Sequence, residues 1–398
     1  MFYMRSVGTV VRGIRTPIIK ANDDLANIVV ESLLKAKENE GFEFRDKDVV
    51  AITEAVVAIA ENNYATVDDI TKDIQKKFPS GNIGLINPIL SRNRFSILLK
   101  AIARGCKKIT IQLSFPSDEV GNGILNEDYL EENGFDLSSV VTEEQYNKFF
   151  GDFLHPFTGI NMVDFYRDLV KAEGCEVTFI FSNNPKTILN YTKDILVASI
   201  HTRNKMKRLL KNAGGNVVLG LDDILTESIN GSGYNSKYGL LGSNKATEEK
   251  VKLFPEHGDI LVNKIQKKLN AVTGKNIEVM VYGDGCFKDP VGCIWELADP
   301  VVSPAHTPGL DGTPNELKLK YLSDNKFADL HGDELKAAIV NEIKGKAKNL
   351  KGTMQTQGTT PRRLTDLIGS LCDLTSGSGD KGTPVVFIQG YFDNLSNE

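Results

Sequence analysis

The residues best suited to chemistry in this sequence are acidic side chains that directly follow apolar segments. Asp284 lies between Gly283 and Gly285, after residues 277–281, in which apolar Ile and Val alternate with Glu and Met. Such alternation predicts a buried strand. A carboxylate at the end of a core strand can bind a divalent cation through its oxygens. A tight turn, in which the Asp side chain bonds its own backbone, explains the same pattern, so both interpretations stay open.

A second acidic residue, Glu54, follows the apolar segment Asp48–Thr53 in the same way. Ligands of α/β proteins bind beyond the carboxyl ends of core strands, which makes Glu54 a candidate site residue. An acid that interacts with the dipole at the start of a helix is the alternative. The same two interpretations apply to Asn22 and Asp23, either of which is a natural N-cap for the helix predicted after them.

A glycine-rich segment near the C-terminus, TSGSGDKGTP at residues 375–384, could contact an anion. It is not a Walker loop, because the chain contains no G-x-x-x-x-G-K-S/T motif. Backbone amides in such a loop can still surround a phosphate group. A flexible connection between a helix and a strand is the alternative explanation.

The elements that must position these residues alternate between strands and helices. Apolar alternation predicts strands at residues 9–14, 48–53, 82–87, 108–113, 176–182, 217–221 and 385–389. Helical spacing predicts helices at residues 25–41, 66–78, 91–105, 160–174, 191–212 and 259–271, and from residue 360 onward. Residues 313–316 match a capping box, which predicts a further helix start there. The β-α-β rhythm after residue 66 predicts a small parallel sheet.

Composition narrows the possible functions. The chain has 398 residues, which predicts two domains or one domain with a large insertion. Its net charge of −5 offers no general attraction to nucleic acid. Residues 201–212 are basic and residues 117–152 acidic; we interpret the first as a solvated helix face and the second as a solvated excursion. We therefore expect no nucleic-acid partner.

Cysteine and histidine usage points to a reducing compartment and away from a zinc site. The five cysteines include no C-x-x-C pair, and the five histidines include no H-x-x-H spacing. The sequence begins without the apolar core of a signal peptide and contains no apolar run long enough to cross a bilayer. We expect a cytoplasmic protein without a membrane partner.

Several of these segments together resemble the coenzyme F420-0:γ-glutamyl ligase family, in that family's order. The similar segments are Gly13–Leu25, Asp48–Asn62, GLLGSN at Gly239–Asn244, FPEHGD at Phe254–Asp259, Gly283–Pro290 and Leu364–Gly390. The resemblance implies an α/β fold with mixed sheets, in which residues 1–64 and 212–398 form a ligase-like core. Residues 65–211 would then be an inserted region of βαβ type.

The resemblance also implies an activity. The family forms an amide between a substrate carboxylate and L-glutamate, with GTP as co-substrate and Mg²⁺ or Mn²⁺ as cofactor, through an acyl phosphate. We therefore expect a small-molecule carboxylate and L-glutamate as partners, and a homodimer. Two alternatives stay open: a glutamate ligase for another carboxylate such as a folate-like pterin, and a binding protein for a nucleotide or metabolite that has lost catalysis on the same fold.

The family's site residues transfer to this sequence only in part. Asp284 matches a metal-binding aspartate, Ser378 lies near a metal-contacting position, and Glu54 is a possible substitute ligand. The positions that match nucleotide-contacting segments, with neighbours that we add to them, are Gly13, Ile14, Arg15, Asn244, Gly377, Ser378, Gly379, Asp380, Lys381 and Gly382. Leu241 occupies the position where the family has a second metal-binding aspartate, and Ala55 and Ile59 occupy positions where the family has lysines. Because those cations are missing, we expect weaker GTP binding than the family shows, and we name no catalytic residue.

Overall fold

The computed structural model of the chain describes residues 6–356, 362–377 and 379–396. The strands are β1 (Val10–Ile14), β2 (Val49–Thr53), β3 (Tyr64–Thr66), β4 (Asn82–Ile86), β5 (Lys108–Leu113), β6 (Val141–Thr142), β7 (Glu176–Phe181), β8 (Ile195–Val197), β9 (Val218–Gly220), β10 (Asn244–Thr247), β11 (Lys250–Lys252), β12 (Glu278–Tyr282), β13 (Ala305–His306) and β14 (Val385–Gln389). The helices are α1 (Leu25–Glu40), α2 (Glu54–Ala60), α3 (Val67–Lys77), α4 (Phe95–Gly105), α5 (Glu127–Glu132), α6 (Glu143–Phe149), α7 (Met162–Ala172), α8 (Arg203–Asn212), α9 (Gly258–Thr273), α10 (Leu319–Tyr321), α11 (Gly332–Gly345) and α12 (Leu364–Thr375).

A five-stranded mixed sheet carries most of the predicted site residues. Its order is β1-β14-β2-β12-β13; the neighbours β2 and β12 pair in parallel, and the other neighbouring strands pair antiparallel. Every residue of β2, β12 and β14 is buried, as their runs of β-branched side chains predict. Along β12, Val279 and Val281 pack against α1 and α9, whereas Met280 and Tyr282 pack against α12. The alternation read from the sequence therefore places helices on both faces of this sheet.

A second sheet has six strands and is covered by helices on both faces. Its order is β6-β7-β5-β4-β8-β9, and its strands are parallel except for β6. Helices α3, α4 and α7 pack on one face through a large apolar core, and Leu210 of α8 belongs to the apolar cluster on the other face. The predicted β-α-β rhythm is confirmed, as is the fold class of an α/β protein with mixed sheets.

A small three-stranded sheet has the order β10-β11-β3 and combines residues 64–66 with residues 244–252. Strand β3 includes both residue 64 and residue 65, where the division into core and inserted region was predicted. Strand β9, beyond residue 211, pairs in parallel with β8. The six-stranded sheet therefore extends to Gly220, and the division at residues 64/65 and 211/212 stays a prediction.

Two predicted helices are wrong. Residues 191–212 do not form one helix, because Ile195–Val197 is a buried strand and α8 begins only at Arg203. A short apolar strand cannot be distinguished from helical spacing by periodicity alone. At residues 313–316 no helix begins; instead Asn315 bonds the backbone of Ala347 and Leu350. The residues of the capping pattern therefore lie in a loop, where the Asn315 side chain holds two loop segments together.

Two smaller expectations also need correction. The acidic segment 117–152 is not simply solvated, since it forms α5, β6 and α6 and buries Leu130, Tyr146 and Phe150. The N-cap of α1 is Asp24, whose side chain accepts a hydrogen bond from the Asn27 amide at 3.3 Å. None of the helices in the described residues is both long and apolar enough to span a lipid bilayer.

Candidate active site

The predicted site residues converge because four segments meet at one edge of the five-stranded sheet. The parallel strands β2 and β12 end there, at Thr53 and Tyr282. Strand β1 ends at Ile14, which pairs with Val385, where the antiparallel β14 begins. The Thr53 amide also donates to the carbonyl of Pro384 at 2.9 Å. Residues that follow β1, β2 and β12, and residues that precede β14, therefore share this edge.

At the β12 end of the edge, three carboxylates form a cluster in which Glu54 and Asp299 are buried and Asp284 is partly buried. Glu54 and Asp299 both approach Gly283, where an added Cβ would lie 3.5 Å from Glu54 Cγ and 2.2 Å from Asp299 Oδ2. The Asp284 amide donates to the same Asp299 oxygen at 2.7 Å. Glycine is needed at position 283 because a side chain there would displace Asp299. The cluster is defined here as Glu54, Asp284 and Asp299.

Two cationic side chains pair with this carboxylate cluster. Arg94, from the loop between β4 and α4, donates through Nη2 to both oxygens of Asp284 at 2.9 and 2.8 Å. Its Nη1 donates to Asp299 Oδ1 at 2.9 Å. Lys252 Nζ of β11 lies 3.2 and 3.1 Å from the two oxygens of Glu54. Each carboxylate oxygen of the cluster therefore accepts a hydrogen bond from within the chain.

The surroundings raise the pKa values of the acids. Burial raises the pKa of Glu54 to about 7, although Lys252 opposes the shift, and the charge of Asp299 adds to it. Burial together with the neighbouring Asp299 raises the pKa of Asp284 to about 8, against the effect of Arg94. Burial also raises the pKa of Glu296 and of Asp373, whose carboxylate accepts the Gly285 amide at 2.8 Å. The cluster can therefore exchange protons near neutral pH.

The cluster does not fit a divalent metal ion in this arrangement. Among the described residues, no group of three or more His, Cys, Asp or Glu side chains is placed to hold one. The oxygens that would bind a cation are taken by Arg94, by Lys252 and by the Asp284 amide. The metal-binding roles predicted for Asp284 and Glu54 find no support in this geometry, and Ser378 lies outside the described residues.

At the β1 end of the edge, the predicted nucleotide-contacting segments lie together. An added Cβ at Gly13 would lie 3.2 Å from both Ser376 Oγ and Thr383 Cβ, so the glycine loop packs directly on β1. Gly377 and Thr383 form a β-bridge that closes the loop. The Thr16 amide donates to the carbonyl of Gly382, and the Gly382 amide to that of Gly379. The loop places Asp380 and Lys381 at its exposed tip.

A cleft of about 1150 Å³ opens beside this loop, between β1 and α1. Gly13, Ile14, Arg15, Lys35 and Lys381 are among its lining residues. Within the described part of the chain, the side chains of Arg15, Lys35 and Lys381 have no ion-pair or hydrogen-bond partner, although the acidic Glu31 and Glu40 also line the cleft. Cationic side chains without an internal partner, beside a glycine loop, can bind an anionic group such as phosphate.

Asn244, the remaining predicted nucleotide contact, lies elsewhere. It pairs with Lys252 across the β10–β11 ladder, so the two side chains share one face of that small sheet. Asn244 therefore neighbours the Lys252–Glu54 pair and does not line the cleft beside the glycine loop.

The departures from the family pattern have clear structural counterparts. Leu241 is buried and lines a small apolar cavity with Phe95 and Leu98. Ile59 packs against the apolar cluster between α1 and the sheet, and Ala55 lies in the first turn of α2. These three positions contribute no charge, and the cations near the cluster come from other elements.

Sequence reasoning missed Arg94, Lys252 and Asp299. Arg94 follows the parallel strand β4 and immediately precedes α4, a place where side chains often serve a site. Lys252 gave a weaker signal, a lysine in a short apolar segment that turns out to be buried. Asp299 precedes a proline in a loop, and a turn explains that pattern equally well.

Comparison with known proteins supports the resemblance seen in the sequence. The family model for F420-0:Gamma-glutamyl ligase matches residues 13–390, nearly the whole chain. No individual curated protein shows significant similarity to the sequence. The matched range includes the segments at both ends of the sheet edge and all strands of the six-stranded sheet. On this match, the chain belongs to the F420-0:γ-glutamyl ligase family.

Proposed function

We propose that the protein is an enzyme that joins a small-molecule carboxylate to the amino group of L-glutamate, using GTP to activate the carboxylate. The observation that carries the proposal is the shared sheet edge. A cleft whose cationic side chains have no internal ion-pair partner among the described residues lies at one end, and a cluster of acids with raised pKa values lies at the other. Membership in a family of ligases supports an amide-forming reaction.

The chemistry divides into two balanced steps. First, an oxygen of the acceptor carboxylate bonds to the γ-phosphorus of GTP, the bond from that phosphorus to the bridging oxygen breaks, and GDP leaves. Then the glutamate nitrogen bonds to the acyl carbon, the bond from that carbon to the phosphate oxygen breaks, and inorganic phosphate leaves. Activation is needed because a free carboxylate is a poor electrophile with no good leaving group.

The cleft beside the glycine loop is the proposed binding place for the triphosphate. Arg15, Lys35 and Lys381 would pair with phosphate oxygens, and loop amides would donate to them. Because Ala55 and Ile59 offer no charge, the phosphates would depend on these exposed side chains. We therefore propose that GTP binds more weakly than in a site with buried lysines.

The carboxylate cluster is the proposed proton acceptor. An α-ammonium group loses two protons when it becomes an amide nitrogen, so the reaction needs groups that accept protons near neutral pH. Glu54 meets that condition, since its pKa is raised to about 7, whereas the pKa of Asp284 is raised further, to about 8, so that it accepts protons mainly above neutral pH. Arg94 and Lys252 hold these acids in place, and no step in this scheme passes through a metal ion.

A binding protein without catalysis is the second candidate. Its support is that every carboxylate oxygen of the cluster already has an internal partner. A glutamate ligase for a folate-like pterin is a variant of the first candidate with a different acceptor. The homodimer stays a prediction under each of them.

The test is an amide-forming assay with purified protein, GTP or ATP, L-glutamate and a panel of carboxylates that includes F420-0 and a folate-like pterin. We expect phosphate release that requires both glutamate and one carboxylate, and a product heavier by one glutamyl residue in mass spectrometry. Asp299→Asn should reduce turnover, whereas Asp136→Asn, at an exposed position, should not. GTP binding without any glutamate-dependent phosphate release would overturn the ligase proposal in favour of the binding protein.

A further inference from the structure

The side chain of Arg94 sits between two aspartates at the end of β12. Its two terminal nitrogens reach Asp284 and Asp299 at 2.8 to 2.9 Å. The Asp299 side chain is 1% exposed and that of Arg94 is 20% exposed. We propose that Arg94 is a built-in cation that takes the place of a divalent metal ion between Asp284 and Asp299, so that the protein binds no metal through Asp284.

The guanidinium group is well suited to this role. It is planar and permanently charged, and its fork of donors matches the geometry of carboxylates. A divalent ion would need the same oxygens, because Mg²⁺ and Mn²⁺ both prefer carboxylate ligands. It would also be repelled by the guanidinium charge a few ångströms away in a poorly hydrated site. Arg94 and a metal therefore compete for one position.

The backbone holds Arg94 in place. Its amide donates to Ser91 Oγ at 3.1 Å, and the next residue, Phe95, is 3% exposed in the core below the six-stranded sheet. The buried hydroxyl of Tyr166 accepts the Ser91 amide at 2.8 Å and donates to the carbonyl of Ile89 at 3.0 Å. The guanidinium is thus presented by an ordered loop, which favours a permanent contact over an occasional one.

The test measures metal binding without the reaction, so it can fail separately from the proposed function at the same site. Mn²⁺ is titrated into the full-length protein without nucleotide, and free Mn²⁺ is followed by electron paramagnetic resonance. The variants are Arg94→Gln, Asp284→Asn and the Arg94→Gln/Asp284→Asn double variant. Arg92→Gln is the matched control, because Arg92 carries the same charge two residues away and is exposed.

We expect the native protein and Arg92→Gln to bind Mn²⁺ weakly, and Asp284→Asn to leave that weak binding unchanged. Arg94→Gln should bind one Mn²⁺ at least about tenfold more tightly, because the competing charge is gone. The double variant should lose that gain. Binding by the native protein that disappears in Asp284→Asn would overturn the proposal, and so would a folded Arg94→Gln with no gain. The comparison of native protein with Asp284→Asn decides the matter even where Arg94→Gln fails to fold.

Discussion

At the β12 end of the sheet edge, every oxygen of Glu54, Asp284 and Asp299 accepts a hydrogen bond from within the chain. At the β1 end, the side chains of Arg15 and Lys381 have no ion-pair or hydrogen-bond partner among the described residues. Both ends lie at the same edge of one sheet. They differ in where the opposite charge comes from.

This difference shows how one fold can treat charge in two ways. The buried end obtains its counter-charges from the chain, because an unpaired charge in a poorly hydrated site is very costly. The exposed end tolerates unpaired cations because water solvates them until an anion arrives. Substitutions at the buried end should therefore change stability, and those at the exposed end should change ligand affinity. The three predictions below test that contrast, in order of expected size.

The largest effect should come from Lys252→Met. The side chains of Lys252 and Glu54 are only 11% and 8% exposed, so the substitution leaves a buried carboxylate without its partner. Breaking a buried pair in this way costs about 3–5 kcal/mol of the free energy of unfolding. Urea unfolding at pH 8 measures the loss, which should shrink at pH 6, where Glu54 takes up a proton.

The control for this prediction is the double variant Lys252→Met/Glu54→Gln. With both charges removed, most of the lost stability should return, since a neutral amide is less costly to bury than an unpaired carboxylate. If Lys252→Met alone lost less than about 1 kcal/mol, which is the scale of a surface pair, the buried end would be no different from the exposed one.

The second prediction concerns pH. Burial raises the pKa of Glu54 to about 7 and that of Asp284 to about 8 in the folded protein, so both acids bind protons more tightly there than in the unfolded chain, where they titrate near their ordinary values. Between about pH 5 and pH 8 the folded state therefore binds more protons, and stability falls as pH rises. Each group contributes a slope of up to about 1.4 kcal/mol per pH unit.

Urea unfolding at several pH values checks this slope. Glu54→Gln should flatten it, because one of the two proton-binding groups is gone. Asp136→Asn is the matched control, since hydrogen bonds from Ser138 lower the pKa of that exposed acid and it titrates below this window. A slope that Glu54→Gln leaves unchanged would mean that Glu54 is ionised in the folded protein throughout the range.

How much of each end the sequence could predict depends on how far apart along the chain, and on which elements, its contacting residues lie. The β1 end could be inferred, because Gly13 and the glycine loop border strands β1 and β14, which are neighbours in the sheet. Asp284 and Glu54 could be placed at a strand end by apolar alternation alone. The fold class followed from the same alternation and from the β-α-β rhythm.

The partners of those acids could not be inferred. Arg94 and Asp284 are 190 positions apart, and Lys252 and Glu54 are 198 apart, so their contacts depend on how two sheets pack together. Periodicity reports which face of an element is buried, and it contains no information about which elements meet. The strand Ile195–Val197 was missed for a related reason, since its three residues are defined by their neighbours β4 and β9.

The smallest effects are expected at the exposed end. Arg15→Gln and Lys381→Gln should each weaken GTP binding by only about two- to fivefold, because exposed ion pairs are worth little individually. Isothermal titration calorimetry measures the affinity, which should fall further as salt is raised, since exposed charges are screened. Neither substitution should shift the midpoint of urea unfolding, because neither side chain has an internal partner to lose.

Lys211→Gln, which removes an exposed lysine on α8, is the control and should leave GTP affinity unchanged. A loss of stability in Arg15→Gln or Lys381→Gln would show that the exposed end is also built on internal pairs. Unchanged GTP affinity in both would place the triphosphate outside this cleft, and the contrast between the two ends would then concern the fold alone.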